Sequence, residues 1–99
     1  MKKILALVLV LLLAVPFAAM AEETPTVKIG VFEPASGDSG AGGKQEMLGM
    51  QYANYVQPTV DIGGTTYNVE LVYADNQSST DKAPSAAQQL VSEGVSVVL

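Results

Sequence analysis

The stretch Val27-Lys-Ile-Gly-Val-Phe-Glu-Pro-Ala-Ser-Gly-Asp-Ser-Gly-Ala-Gly-Gly-Lys44 contains the change of pattern that decides the fold. Its first part, residues 27–32, is apolar and β-branched, which predicts a buried strand. Residues 33–44 are rich in glycine and predict a loop, and residues 45–57 predict a helix. Ligands of open α/β sheets bind at the carboxyl ends of the strands. The loop is therefore a candidate binding element, and a connecting turn without a ligand is the alternative.

The remaining sequence repeats this strand and helix order. A tight turn at Gly63-Gly64 between short extended arms leads into a second core strand, residues 69–74. A polar segment with several helix N-cap residues follows. A second helix then ends at Gly94, and Val95 begins a third strand. This β-α-β-α-β order predicts an α/β fold, the start of a three-layer lobe with a parallel sheet and helices on both faces.

Both predicted helices have an apolar face at helical spacing. In the first helix, Gly49 either allows close approach to the sheet or is a tolerated weakness, and Pro58 ends the helix. In the second helix, Pro84 falls in the first turn, where the backbone N–H groups have no partner within the helix. The first face consists of Leu48, Tyr52, Tyr55 and Val56, and the second of Ala83, Ala86, Ala87, Leu90 and Val91.

The first 21 residues have the three-part pattern of a secretory signal peptide. Two lysines precede an unbroken apolar run, residues 4–15, and Ala19-Met20-Ala21 is a small-x-small cleavage motif. The apolar run is shorter than the ~20 residues that a membrane span needs, and Pro16 ends it. We predict cleavage after Ala21 and a periplasmic product that is not anchored in the membrane.

The composition after Ala21 excludes several classes of function. Three Lys and ten acidic residues remain there, which makes the net charge −7, and the segment has no Arg and no His. A basic surface for nucleic acid and a polybasic patch for membranes are therefore absent from the sequence. The chain also lacks Cys, so the common zinc ligand sets are unavailable. We expect no metal site, no cofactor and no nucleic-acid partner.

The glycine-rich loop does not fit a phosphate-binding motif. A P-loop has the pattern G-x-x-x-x-G-K-[ST]. Lys44 follows Gly43 here, but Asp38 occupies the first glycine position and Gln45 replaces the hydroxyl residue. The carboxylate of Asp38 would also repel a phosphate group.

A catalytic centre is not indicated either. Ser36 and Ser39 have no neighbouring base in the sequence, and turn or capping hydrogen bonds are their ordinary role. Asp75 follows the second core strand and suits an Asx turn or a helix cap better than a catalytic acid. We therefore expect no catalytic residues and no enzyme activity. A neutral crevice with amide and hydroxyl groups remains, which suits a small zwitterion or amide.

Five segments, in order and correctly spaced, match one known family. They are Val27 to Gly37 with its P-x-[ST]-G turn, Gly43-Lys-Gln with Gly49-x-x-x-Ala53, Val69-Glu-Leu-Val-Tyr-Ala-Asp-Asn-Gln77, residues 83–91 and residues 94–98. In these segments the chain resembles the start of the periplasmic substrate-binding proteins of ABC importers. The resemblance is to the type I group, which includes the branched-chain amino-acid (leucine/isoleucine/valine) binding proteins.

The resemblance implies two α/β lobes that close over a ligand. Residues 22–99 would be the N-terminal part of the first lobe. Ligand contacts are then expected from Ser39, Ala41 and Gly42, and Gly42 occupies the position where a family side chain often faces the ligand. The main ligand loop of the family follows the third strand and is not in this sequence. Departures from the family pattern around Asp38 leave the identity of the ligand open.

The function implied is that of an exported solute-binding component of an ABC transporter. It would capture a small amino-acid-like ligand, a branched-chain amino acid or a related amide, deliver it to a permease in the inner membrane, and be monomeric. The alternatives are a ligand-sensing domain of the same fold with a signalling partner, an exported nucleotide-using α/β enzyme, and a small free-standing domain. Because the 99 residues end within an apolar run, we expect the front piece of a longer protein.

Overall fold

A computed structural model describes residues 22–99, so the predicted signal peptide and its cleavage site at Ala21 lie outside the described residues. The described chain forms four strands and two helices. They are β1 (Thr26–Glu33), α1 (Gly40–Val56), β2 (Thr59–Ile62), β3 (Thr65–Asp75), α2 (Ala83–Ser92) and β4 (Val97–Val98). Among residues 22–99, no helix combines the length and the apolar character that crossing a membrane requires.

The strands form one sheet in the order β2-β3-β1-β4. β1 runs parallel to β3 over its whole length, from Thr26 opposite Asn68 to Glu33 opposite Asp75, and β4 pairs in parallel with its other edge. The predicted parallel core is confirmed. β2 pairs antiparallel with β3, because the two residues Gly63-Gly64 between them reverse the chain. The predicted hairpin arm is thus an edge strand, which makes the sheet mixed.

The two helices lie on opposite faces of the sheet, since successive side chains of a strand point to opposite faces. On one face, α2 places Leu90 against Ala74, and the side chain of Leu90 has no exposed surface. On the other face, Met50 of α1 lines a cavity together with Ile29 and Leu71. The predicted three-layer arrangement is confirmed.

Helix α1 begins at Gly40, whereas the sequence predicts a loop up to Lys44 and a helix from Gln45. The glycine-rich residues 40–43 form the first helical turn, and the loop is residues 34–39. A Cβ atom at Gly43 would lie 2.0 Å from the carbonyl oxygen of Pro34. A residue without a side chain therefore lets the helix start this close to the end of β1. The predicted loop was too long because Gly43 allows the first helical turn to pack against Pro34.

The prediction for the apolar face of α1 was wrong, because this face points away from the sheet. Contact with Pro34 orients Gly43 toward the sheet, and residues at helical spacing from Gly43, such as Met50 and Asn54, lie on the same side. A Cβ atom at Gly49 would meet no atom within 4 Å, so Gly49 is a tolerated weakness. The exposed fractions are 63% for Leu48, 68% for Tyr52, 83% for Tyr55 and 62% for Val56.

The apolar face of α2 is narrower than predicted. Ala86 and Leu90 are buried, whereas Val91 is 67% exposed and Ala87 is exposed as well. A short helix on a sheet contacts it along one row of side chains, and Ala86 and Leu90, four residues apart, form that row. Pro84 lies in the first turn of the helix, as predicted.

Candidate functional site

The carboxyl ends of β1 and β3 lie side by side at one edge of the sheet. The two strands are parallel and stay in register up to Glu33 opposite Asp75. The loops that follow them, residues 34–39 and residues 76–82, therefore meet at this edge. This is the location at which open α/β sheets bind ligands.

The three predicted ligand-binding residues lie together at this edge. Ser39, Ala41 and Gly42 are all exposed, and a Cβ atom at Gly42 would meet no atom within 4 Å. The Ser39 hydroxyl makes no capping bond to the helix. The hydrogen bonds within residues 22–99 leave the backbone N–H groups of Ala41 and Gly42 without an acceptor, as is usual in the first turn of a helix. The site thus offers two free backbone donors beside a hydroxyl group.

The carboxylate of Asp75 connects the two loops at this edge. Its Oδ1 accepts hydrogen bonds from the backbone N–H groups of Ala35 and Gln77, both at 2.8 Å, and its Oδ2 accepts one from the Ser36 hydroxyl at 2.7 Å. The bond from Ser36 has the largest effect on the pKa of Asp75, and the bond from Gln77 the second largest. Both lower the pKa, because they stabilise the ionised carboxylate. The bond from Gln77 confirms the Asx turn that the sequence predicts.

The hydroxyl of Ser78 makes a second connection between the loops. It donates a hydrogen bond to the carbonyl oxygen of Ser36 at 2.9 Å and accepts one from the backbone N–H of Ser39 at 3.0 Å. The N–H of Ser78 donates to Oδ1 of Asn76 at 3.0 Å. The loop before α1 is therefore held at Ser36 and at Ser39. We call Asp75, Ser36 and Ser78 the loop clasp.

The backbone at the loop clasp adopts a strained conformation. Gln77 and Ser78 have φ angles of 57° and 53°, a left-handed region that costs residues with side chains about 1–2 kcal/mol each. Gly37 packs against them with a φ of 78°, and a Cβ atom there would lie 2.4 Å from the carbonyl oxygen of Gln77. Backbone strain of this kind is concentrated at binding sites and other functional regions.

A pair of carboxylates lies between β1 and α1. Burial raises the pKa of Glu33, and the hydrogen bond and the negative charge of Glu46 raise it further, because two close carboxylates resist being ionised together. Within residues 22–99, no group of three or more acidic side chains is close enough to hold a metal ion. Local sequence does not indicate this pair, since its members are thirteen positions apart on different elements.

A cavity of about 320 Å³ lies under α1, separate from the predicted site. It is lined mainly by apolar side chains that include Ile29, Val69 and Leu71, in the half of the sheet away from the carboxyl edge. Oδ1 of Asn54, a second lining residue from α1, is buried and has no hydrogen-bond partner within residues 22–99. The cavity does not include Ser39, Ala41 or Gly42.

Comparison with known proteins identifies the class to which this fold belongs. Residues 26–99 match the periplasmic binding protein family, and the chain is a member of that family of solute-binding proteins. The crystal structure of the leucine binding protein LivK from Thermotoga maritima matches with 35% sequence identity and a TM-score of 0.65. The match covers 74% of this chain and 20% of that chain, so this chain spans about a fifth of the length of the LivK structure. No curated protein sequence gives a match.

The resemblance that the sequence indicates, to the type I group with the leucine binding proteins, is thereby confirmed. Sequence reasoning missed the part that Ser78 plays, and the contacts of Asp75 with Ala35 and Ser36. The available signal was a run of Asp, Asn and Ser after a predicted strand, which indicates turns. The partner loop depends on which strands are neighbours in the sheet, and local sequence does not contain that information.

Proposed function

We propose that this protein is the solute-binding component of an ABC importer and that its ligand is a branched-chain amino acid or a related small amide. The observation that carries the proposal is the exposed cluster of Ser39, Ala41 and Gly42 at the carboxyl edge of the sheet, in a chain 35% identical to a leucine binding protein. Free N–H groups at the start of a helix favour carboxylate or carbonyl oxygens.

Binding in this proposal involves no chemistry on the ligand. The first turn of α1 forms one wall of a cleft, and a second lobe closes over the ligand from the other side. The Ser39 hydroxyl and the N–H groups of Ala41 and Gly42 hold polar groups of the ligand, and closure of the lobes provides selectivity. The exported protein is monomeric in the periplasm and passes its ligand to a permease in the inner membrane.

Calorimetric titration of the protein expressed from its complete coding sequence tests the ligand class. We expect saturable binding of at least one of L-leucine, L-isoleucine and L-valine, with ATP and NAD as controls that produce no heat of binding. Binding of ATP or NAD without any response to the three amino acids would contradict the proposal and favour a nucleotide-using enzyme. Neighbouring genes for a kinase or a regulator, in place of a permease and an ATPase, would favour a sensing role.

The substitution Gly42→Tyr tests whether the first turn of α1 faces the ligand. The space beside Gly42 is open, so the tyrosine side chain fits without disturbing the fold and occupies part of the cleft. We expect the order of affinities for leucine, isoleucine and valine to change while the melting temperature is retained. Gly49→Tyr is the matched control, because Gly49 is equally open but lies further along α1. Unchanged selectivity of the Gly42 variant would show that the first turn of α1 does not face the ligand.

A further inference from the structure

Three polar side chains hold the loop before α1 in its position, although none of them is among the predicted ligand contacts. Ser39, the residue that precedes α1, donates its N–H to the Ser78 hydroxyl, and Ser78 in turn donates to the carbonyl oxygen of Ser36. Asp75 holds the same loop at Ala35 and Ser36. The direction in which the first turn of α1 leaves the sheet therefore depends on these bonds.

The strained backbone gives the loop clasp a conformational energy cost, which a loop that only connected two elements could avoid. The positive φ angles at Gln77 and Ser78 place the Ser78 hydroxyl between Ser36 and Ser39. Two side chains of the same segment support this conformation, since Asp75 accepts the N–H of Gln77 and Asn76 accepts the N–H of Ser78. Strain that is over-determined by its surroundings is a means of preorganising a site.

We propose that the loop clasp, Asp75 with Ser36 and Ser78, is a positioning unit for ligand binding. It presents the N–H groups of Ala41 and Gly42 to the cleft in a fixed geometry, so that little conformational entropy is lost when the ligand binds. The effect of the loop clasp on ligand binding rests on the proposed function, whereas its ordering of the first turn of α1 rests on the hydrogen bonds alone. Amide hydrogen exchange tests the ordering, and the dissociation constant of the ligand tests the effect on binding.

The first measurement is amide hydrogen exchange in the protein without ligand. Ser78→Ala and Asp75→Ala should increase exchange by at least tenfold at Ser39, Gly40 and Gly43, the hydrogen-bonded amides at the start of α1. The reason is that the N–H of Ser39 loses its acceptor or the loop loses its anchor at Ala35. Exchange at Leu90, on the buried face of α2, should stay unchanged. Ser85→Ala is the matched control, since its hydroxyl donates only to the carbonyl oxygen of Lys82, the residue that precedes α2. Unchanged exchange at these three hydrogen-bonded amides, or an equal increase at Leu90, would overturn the proposal.

The second measurement is the dissociation constant for leucine, isoleucine and valine. Ser78→Ala and Asp75→Ala should raise it at least tenfold at a temperature where both variants are folded. Asp75→Asn keeps an oxygen that can accept from Ala35 and Gln77, so its effects on exchange and on binding should be smaller than those of Asp75→Ala. An equal or larger effect of Asp75→Asn would contradict positioning by these bonds. A wild-type protein that binds none of the three amino acids would contradict the proposed function, and the exchange result would still decide whether the clasp orders the first turn.

Discussion

Gly43 determines where α1 starts and which side of it faces the sheet. Its Cα approaches the carbonyl oxygen of Pro34 so closely that a Cβ atom would lie 2.0 Å from that oxygen. Glycine is unfavourable in a helix by about 1 kcal/mol relative to alanine. Gly43 therefore contributes through its close contact with Pro34 and not through helix propensity. The residue types around Gly43 in the sequence do not indicate this contact.

The substitution Gly43→Ala is expected to destabilise the protein. The added methyl group collides with backbone, which cannot move away as a flexible side chain can, and overpacking of this kind costs about 1–3 kcal/mol. Gly49→Ala, on the same helix in open space, should instead stabilise by up to about 1 kcal/mol. Urea unfolding of both variants measures the two effects. Equal stabilities of the two variants would contradict the close approach of α1 to Pro34.

The Glu33–Glu46 pair should make stability fall as the pH rises. The pKa of Glu33 in the folded protein lies above its ordinary value of about 4.5, so the folded state favours the protonated form. The contribution is fully present below the ordinary value and is lost as the pH rises through the raised pKa. Glu46→Gln should therefore raise the melting temperature at pH 7, and the gain should shrink toward pH 4.

Glu22→Gln is the control for the pH experiment, because it removes one exposed charge far from the pair. Melting curves across pH 4 to 7 separate the pair from the net charge of the protein. A gain for Glu22→Gln as large as that for Glu46→Gln would assign the effect to net charge instead. Asp75 has the opposite effect on the pH dependence of stability. Because its pKa is lowered, its contribution to the free energy of unfolding is lost as the pH falls through that pKa.

At the scale of elements, the two helices differ in how they are attached to the sheet. Helix α2 has a buried row with Leu90 at its centre, next to Ala74 of β3. Helix α1 has buried positions at Gly40 and Gly43 in its first turn, and a cavity lies under its later turns. Periodicity of apolar residues predicts that both helices exist, but it predicts the wrong orientation for α1, because a backbone contact sets its rotation.

Neighbouring residues of α2 provide a test of this attachment. Leu90→Ala should cost about 2–5 kcal/mol, the usual range for removing a buried leucine side chain, because the side chain is fully buried. Val91→Ala should change stability by less than about 0.5 kcal/mol, because Val91 is 67% exposed. Chemical denaturation of both variants gives the two values. Similar losses would show that Val91 is also covered in the folded protein.

At the scale of the whole molecule, residues 22–99 have a small core. The buried hydrophobic side chains among the described residues are Val31, Ala74, Ala86 and Leu90. A domain of this size buries only about 60% of the surface that its unfolded chain exposes. β4, with Val97 and Val98 about half exposed, presents an edge that can pair with another chain.

We therefore expect residues 22–99, produced alone, to aggregate or to unfold without a cooperative transition. The protein expressed from its complete coding sequence should unfold cooperatively under the same conditions. Thermal unfolding followed by circular dichroism, together with light scattering, distinguishes these results. A sharp, reversible transition of the isolated segment would favour the free-standing domain instead.

The sequence by itself determined the α/β class, the parallel order of the core strands, the hairpin at Gly63-Gly64 and the family. These features depend on local periodicity, turn chemistry and short motifs, which act between residues close in the chain. Tertiary structure alone decided the start and rotation of α1, the pairing of Asp75 and Ser78 with the loop before α1, and the Glu33–Glu46 pair. These features depend on contacts between distant segments, and such contacts are set by strand register and close packing, which leave no periodic signal in the chain.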